Sequence, residues 1–407
     1  MTRRWLILAD DLSGAADAGV AFALRGLVTE VHWQAGLDTA ASSADVIAFD
    51  TDSRRLDAAG AAERQRAAMQ RLRAPDMALF KKIDSTLRGQ PAAEIAAIHR
   101  CGVTRVILAP ANPAMGRSTR AGRVFVHDQP LEQTETWRRE QAYPNADLGA
   151  ILAGAGLPAV KLPLDVVRAP ARLAEALRVV SGAPPAWICD AENDGDLENI
   201  ARAGLAADGI TLFAGTAGLA LALAGQGGTR RFSPLDLRPV VAGTLVAVGS
   251  LSSVSRGAAE RLARTERVRT VRVASEPLQA NAAELAKLGT DVTGMLAAGD
   301  DVLVEIAPEP RPDLARGPAL VRALASALEP ARHVAGGLIA TGGETASALL
   351  NGWYFHRIRL IDEVAPGMSL GVALGERHVP LITKPGGFGD AASLVHALEA
   401  LRRLRKD

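Results

Sequence analysis

The chain reads as an α/β protein of two domains, each a mostly parallel sheet flanked by helices, and three observations lead there. Its 407 residues exceed one ordinary core of about 100 to 200 residues. Short aliphatic or β-branched runs alternate with longer segments whose apolar residues recur at three and four, a pattern that builds parallel sheets from β-α-β units. The alternation stops once, at Gly225 to Pro239 (GQGGTRRFSPLDLRP), where Gly, Pro and Arg crowd together without periodicity, and then resumes. The expected division is a first domain over 1–225, a linker over 226–240 and a second domain over 241–407. Ligands are expected at the carboxyl ends of the strands, with the active site in the cleft between the domains.

In the first domain the runs predict strands at Trp5–Ala9, Val46–Phe49, Met77–Phe80, Arg105–Ala109, Val160–Leu162 and Trp187–Cys189. Helices are predicted at Gly14–Arg25, Ala58–Leu72, Ala92–Cys101 and Ala171–Val180. The segment APANPAMGRSTRAGRVFV reads as a rigid polar loop followed by a hairpin. Gly209 to Thr229 is an uncharged run of 21 residues, long enough to raise a membrane span, but its six glycines favour strand, tight turn and buried helix. After the linker, strands are predicted at Thr244–Val248, Val268–Val273, Asp301–Ile306, Leu338–Thr341, Ile358–Ile361 and Pro380–Ile382, with helices in the gaps.

Composition narrows the function. Forty-six basic against 45 acidic residues leave a charge of +1, too little field to hold a nucleic-acid backbone or an anionic membrane, so the expected partners are small molecules captured locally. Two cysteines exclude a disulfide framework and a thiolate zinc site, and the seven histidines show no metal-binding spacing. The apolar stretch after Arg3 and Arg4 is too short for a signal peptide, so the expected location is the cytoplasm. Self-association is left open.

Four loops of the first domain carry chemistry. Asp10 and Asp11 end the first strand ahead of Ser13 and Gly14, where a carboxylate either faces a ligand hydroxyl or a metal-bound water, or caps the helix. In FDTDSRR, Arg54 or Arg55 can fork onto a carboxylate, which a lysine cannot do. In FKKIDSTLRGQP, Lys82, Asp84 and Ser85 converge; Lys82 and Asp84 share a face of an extended stretch and serve either one ligand or a structural ion pair. The chain has six lysines against 40 arginines, and Lys81, Lys82 and Lys384 all lie in acidic or glycine-rich loops, as if a compact ammonium were needed there. Asn112 and Arg117 either touch the ligand or only shape its wall.

In the second domain VGSLSSVS, TGGETAS and KPGGFGDAAS each follow a strand and precede a helix. Close backbone approach, free N–H groups and the helix dipole make such turns phosphate cradles, and three in one domain point to a nucleotide. Neither a Walker A nor a GxGxxG fingerprint is present.

The ordered blocks ADDLSGAADAG, KKIDSTLRG, PANPAMGR, VGSLSS, TGGET and PGGFGD resemble those of the four-carbon acid sugar kinase family across nearly the whole chain. Ser13 stands where threonine is usual, Pro385 replaces the commoner serine, and Thr134 to Asn145 matches poorly. The resemblance implies a sugar-acid-binding first domain, an ATP-binding second domain, and phosphoryl transfer to O4 of threonate, erythronate or 3-oxo-tetronate. It places Asp10, Arg54, Lys82, Asp84 and Ser85 on the substrate, and Ser252, Gly342, Gly343, Glu344, Thr345, Gly386, Gly387, Phe388 and Gly389 on ATP. Mg2+ is expected mainly on the phosphates, with no protein ligand assigned. Asp84, Asp10 and Asp390 are the candidates for the catalytic carboxylate. The alternatives are a sugar-acid and nucleotide sensor without turnover, or a sugar-acid aldolase or dehydrogenase.

Overall fold

The structure is a computed structural model of the chain and describes residues 3–33, 42–139, 143–178, 185–227, 242–249, 252–275, 282–307 and 316–404. They form two compact units, one within residues 1–232 and one within 233–407. Most of the expected linker, from residue 228 onward, lies outside the described residues.

The first unit contains β1 (Arg4–Ala9), β2 (Thr29–His32), β3 (Val46–Asp50), β4 (Met77–Lys82), β5 (Arg105–Ala109), β6 (Arg117–Arg120), β7 (Arg123–Val126), β8 (Gln129–Pro130), β9 (Ala159–Leu162), β10 (Ala186–Cys189) and β11 (Thr211–Gly215). Eight of them form a parallel sheet in the order β2-β3-β1-β4-β11-β5-β10-β9. Its inner strands are buried on both faces, which is why they read as unbroken aliphatic runs. The predicted hairpin is β6-β7, extended by β8. The uncharged run folds as β11, the Thr216 N-cap and the helix Ala217–Gly225. Among the described residues no helix is long and apolar enough to cross a membrane.

From β1 the chain turns one way, through the helix Leu12–Ala23 to β2 and β3; from β4 it turns the other way, through the helix Pro91–His99 to β5. Crossovers of one hand running in opposite directions put their helices on opposite faces and open a crevice at the carboxyl ends of β1 and β4. The helix Leu12–Ala23 packs on Ala217–Gly225, and the helix Ala58–Leu72 packs on Pro91–His99.

The second unit contains β12 (Thr244–Val248), β13 (Val268–Val273), β14 (Asp301–Ile306), β15 (Gly337–Thr341), β16 (Arg357–Ala365), β17 (Met368–Leu374) and β18 (His378–Lys384), in the order β13-β14-β12-β15-β18-β17-β16. All neighbours are parallel except β17, which runs antiparallel to both β18 and β16. The chain leaves β12 toward β13 and returns to β15 on the other side, so the reversal lies between β12 and β15. Val246, Leu303, Ile339 and Ile382 bury one face of this sheet under the helices Ser253–Thr265 and Ser393–Leu404.

Two strands escape the sequence pattern. β2 reads TEVH, yet all four residues are buried, and Glu30 and His32 satisfy each other at 3.1 Å. β17 contains Gly371, a residue that ordinarily weakens a strand. A Cβ there would lie 2.7 Å from the Arg359 carbonyl oxygen of β16, so glycine is what lets the two strands approach.

Candidate active site

The crevice of the first unit is built from the residues that follow β1, β3, β4 and β5. Asp11 is the N-cap of the helix Leu12–Ala23, its Oδ1 accepting the Gly14 N–H at 2.7 Å. Asp10 is 3% exposed, and its carboxylate accepts both Arg54 Nε–H at 2.7 Å and Nη2–H at 2.8 Å. Arg54 Nη1 donates to Asp11 Oδ2 at 2.7 Å, so one guanidinium spans both acids. The Arg54 loop is fastened to β1: the Ser53 and Arg54 N–H groups donate to Asp10 O at 3.1 and 3.2 Å, and Thr51 Oγ1 donates to Ala9 O at 2.8 Å. Gly89, at φ +78°, passes over this pair, where a Cβ would sit 3.0 Å from Asp10 Oδ2.

Asp84 follows β4 and accepts Arg88 Nη2–H at 2.7 Å, the Thr86 N–H at 3.0 Å and the Thr86 hydroxyl, while Arg54 Nη2 stands 4.0 Å away. Burial alone would raise its pKa; Arg88, Arg54 and these hydrogen bonds outweigh burial and hold the carboxyl well below the usual range. Asp10 follows the same logic, burial opposed by Arg54, with a net lowering. Lys82 is buried and pairs with Asp17 at 3.2 Å; burial nevertheless pushes the Asp17 carboxyl up. Ser85 is buried in the same loop, and the buried Ser13 Oγ has no hydrogen-bond partner among the described residues. Arg117 feels the charge of Asp84, although burial lowers its pKa, and its backbone exchanges hydrogen bonds with Asn112 at 2.9 and 3.0 Å. Arg55 is exposed.

Adjacent lysines of β4 point to opposite faces, as the strand period requires. Lys81 forms a buried ion pair with Glu94 at 2.9 Å. Glu94 also accepts the Ser53 hydroxyl and Gln65 Nε2–H at 3.1 Å, and Gln65 Nε2 reaches Thr51 Oγ1 at 2.8 Å. This network fixes the Thr51 to Ser53 stretch that positions Arg54.

Sequence reasoning did not single out Asp17, Arg88 or Glu94. Asp17 was visible in principle as the lone carboxylate in an apolar helix, every residue of which is buried; a charge at that depth requires a partner. Arg88 lies four residues after Asp84, a spacing that brings the two together here. Glu94 gives no local signal, because its partners come from β4, the Arg54 loop and the helix Ala58–Leu72.

In the second unit β12, β15 and β18 end at one level, Val248 opposite Thr341 and Thr341 opposite Lys384. Gly342, at φ +89°, turns the chain into the helix Gly343–Gly352, whose first turn carries Glu344 and the buried Thr345. Its N–H donates to Lys384 O at 2.7 Å, and Ser255 Oγ donates to Gly386 O at 2.7 Å, drawing the Gly342–Thr345 and Gly386–Gly389 turns together. Gly389 has φ +81°, and a Cβ there would run into Ser393. Phe388 lies where a side chain at Gly367 would be. Ser252 is the N-cap residue of Ser253–Thr265, and Ser250 and Leu251 before it lie outside the described residues. Asp390 is exposed and its carboxylate accepts hydrogen bonds from Ser393 and Ala392, which hold its pKa below the usual value. Glycine turns with positive φ, ahead of a helix whose N-cap has no side chain, have the backbone form suited to a phosphate.

One unit thus presents a cluster of acids and cations suited to a small polyhydroxy acid, the other turns suited to phosphate: a two-domain α/β small-molecule kinase. Residues 5–223 match the model of a sugar-binding N-terminal domain and residues 245–394 that of a nucleotide-binding C-terminal domain. The D-threonate kinase of Cupriavidus necator is 40% identical over 98% of this chain and 99% of its own, and that of Bordetella bronchiseptica is 34% identical over 98% of each. The 3-oxo-tetronate kinase of Methylobacterium radiotolerans is 29% identical over 97% of this chain and 98% of its own. A crystal structure from Salmonella typhimurium LT2, described as a putative tRNA synthase, has the same fold, with a TM-score of 0.80 at 20% identity over 98% of this chain and 99% of that one. The chain belongs to the four-carbon acid sugar kinase family.

Proposed function

We propose that this protein transfers the γ-phosphoryl group of ATP to the terminal C4 hydroxyl of a four-carbon sugar acid, with D-threonate the first substrate to test. The observation that carries the reading is the acid and cation cluster at the strand reversal of the unit that matches a sugar-binding domain, in a chain 40% identical end to end to a D-threonate kinase.

Arg54 has five N–H donors, of which Asp10 and Asp11 take three, so two remain for a ligand carboxylate beside the Lys82 ammonium. Asp10, Asp84 and Ser85 are assigned to the hydroxyls; both Asp10 oxygens and Asp84 Oδ1 have a second lone pair after their arginine bond, whereas Asp84 Oδ2 is taken by Thr86. With their pKa held low, Asp10 and Asp84 are weak proton acceptors at neutral pH. A loose phosphoryl-transfer transition state asks for an oriented hydroxyl more than for a strong base, so their role is to aim O4 and take its proton late. Asp390 is the third candidate, from the nucleotide side.

Ser252, Gly342 to Thr345 and Gly386 to Gly389 are assigned to ATP. Gly387 has nothing within 4 Å of where a Cβ would stand, and Gly342 and Gly389 take the positive φ that lets the backbone turn toward a phosphate. Mg2+ is assigned to the phosphate oxygens, where it would neutralise charge during transfer.

The test is product formation from ATP with D-threonate, D-erythronate, 3-oxo-tetronate and the neutral tetritols, the site of phosphorylation read by phosphorus and carbon NMR. Turnover of one acid to its 4-phosphate is expected. Binding of acid and ATP without turnover would leave a sensor; carbon-carbon cleavage or nicotinamide-linked oxidation would refute the kinase reading outright.

A further inference from the structure

Lys384 ends β18 and is 0% exposed. Ammonium groups at such depth normally have a carboxylate partner. The two other buried lysines obey: Lys81 pairs with Glu94 at 2.9 Å and Lys82 with Asp17 at 3.2 Å. Lys384 does not. Its Nζ donates to Ser255 Oγ and to Pro385 O, each at 3.3 Å, both neutral and both long, and no carboxylate among the described residues lies within ion-pair distance. Asp390 is the one ionisable group among them that acts on it, and burial prevails, taking the Lys384 pKa down to about 8.

The position is equally telling. Lys384 lies opposite Thr341 in the sheet, its carbonyl anchors Gly342, and its ammonium contacts the serine that holds Gly386. It therefore touches both glycine turns. For stability alone, an uncharged side chain of similar volume would serve better at a buried site without a counter-charge. Among the described residues no carboxylate meets this cation, which leaves it available to an anion that arrives from outside. A guanidinium would also be larger: a Cβ at Gly389 would already lie 3.3 Å from Lys384 Cε.

We propose that the Lys384 ammonium is a ligand of the nucleotide phosphates, the cationic member of a site whose other contacts are backbone N–H groups of the Gly342–Thr345 and Gly386–Gly389 turns. The proposal rests on the nucleotide reading of the second unit and adds to it the residue that supplies charge.

Calorimetry of MgATP binding to wild type, Lys384→Met and Lys384→Gln tests it, without turnover as a readout. An anion bound to Lys384 restores its proton. Wild type should therefore take up protons when it binds nucleotide on the alkaline side of neutrality, read from the binding enthalpy in two buffers of different ionisation enthalpy. Its affinity should fall as pH rises from 7 to 9. Lys384→Met should bind roughly tenfold to a hundredfold more weakly, the loss of one charge-assisted contact, and take up no proton. Its melting temperature without nucleotide should equal or exceed that of wild type, because a buried charge has gone. If Lys384→Met does not fold, Lys384→Gln carries the same comparison. A folded Lys384→Met or Lys384→Gln that binds nucleotide as tightly as wild type, or that keeps the full proton uptake of wild type, overturns the assignment of Lys384 while leaving the nucleotide site in place. If wild type binds no nucleotide, the reading of the unit itself fails and the proposal with it.

Discussion

Replacing Arg54 by alanine tests the organisation of the crevice most directly. The Arg54 side chain is 21% exposed, and it gives three N–H bonds to two acids, one of them the buried Asp10. Removing it leaves Asp10 charged, desolvated and without its principal partner, which costs about 3 to 5 kcal/mol when one member of a buried pair is deleted. The pH dependence identifies the mechanism. In wild type the Asp10 pKa lies below its ordinary value, so the Arg54 interaction contributes stability above the unfolded pKa and is lost as pH falls through the folded one. In Arg54→Ala, desolvation dominates and raises the Asp10 pKa above the unfolded value. The penalty is then present at neutral pH and relieved as the acid protonates, and the gap between variant and wild type should narrow from pH 7 toward pH 4. Urea unfolding followed by tryptophan fluorescence measures this in a Trp353→Phe background, where the remaining tryptophans, Trp5, Trp33, Trp137 and Trp187, all lie in the first unit. Asp10→Asn in the same chain should recover most of the loss. A penalty below about 1 kcal/mol, the range of an exposed ion pair, or one independent of pH would refute the view of Asp10 as a buried charge held by Arg54.

Three further outcomes are expected. Lys82→Ala should weaken binding of a four-carbon acid by roughly tenfold to a hundredfold and leave MgATP binding unchanged; equal losses for the acid and a neutral tetritol in titration calorimetry would show that Lys82 does not read the carboxylate. Gly342→Ala places a Cβ at φ +89° and ψ 136°, outside the regions an L residue favours and costing about 1 to 3 kcal/mol, and should lower both the melting temperature and nucleotide affinity while acid binding survives. Glu94→Gln strips the buried Lys81 of its counter-charge and should destabilise the first unit by about 3 to 5 kcal/mol, with Lys81→Met restoring much of it; full stability of the single variant in urea would mean that the ion pair is dispensable.

The sequence made the parallel strands legible because strands buried on both faces have nothing to alternate, and Trp5 to Ala9 or Arg105 to Ala109 announce themselves as aliphatic runs. It hid β2, where Glu30 and His32 go into the interior as a mutually satisfied pair, and β17, where Gly371 resembles a break. At the site, the loops rich in acids and cations were found because they follow strands. What composition could not convey was pairing. Arg54 appears in the sequence as a free fork for a ligand, and the fold gives it a prior task in orienting Asp10 and Asp11. Lys82 and Asp84 share a face of an extended segment, yet the partner of Lys82 is Asp17, brought over by the helix after β1. Spacing reports who is near in the chain, and the partner of a buried charge is usually supplied by another element.

The two adjacent lysines of β4 have a consequence for how this chain can change. Lys81 belongs to the scaffold and Lys82 to the crevice solely because one faces each side of the sheet. A slip of a single residue would put one lysine in the other's place and carry the second two positions along the opposite face, so that only one of Glu94 and Asp17 keeps an ammonium opposite it. Length changes in the loops that feed β4 are therefore tolerable only if the frame of the strand is kept, and insertion scanning should show a sharp border at Met77. Upstream of it, added residues can bulge outward; within the strand, even one inserted alanine leaves one of the two buried carboxylates without its lysine.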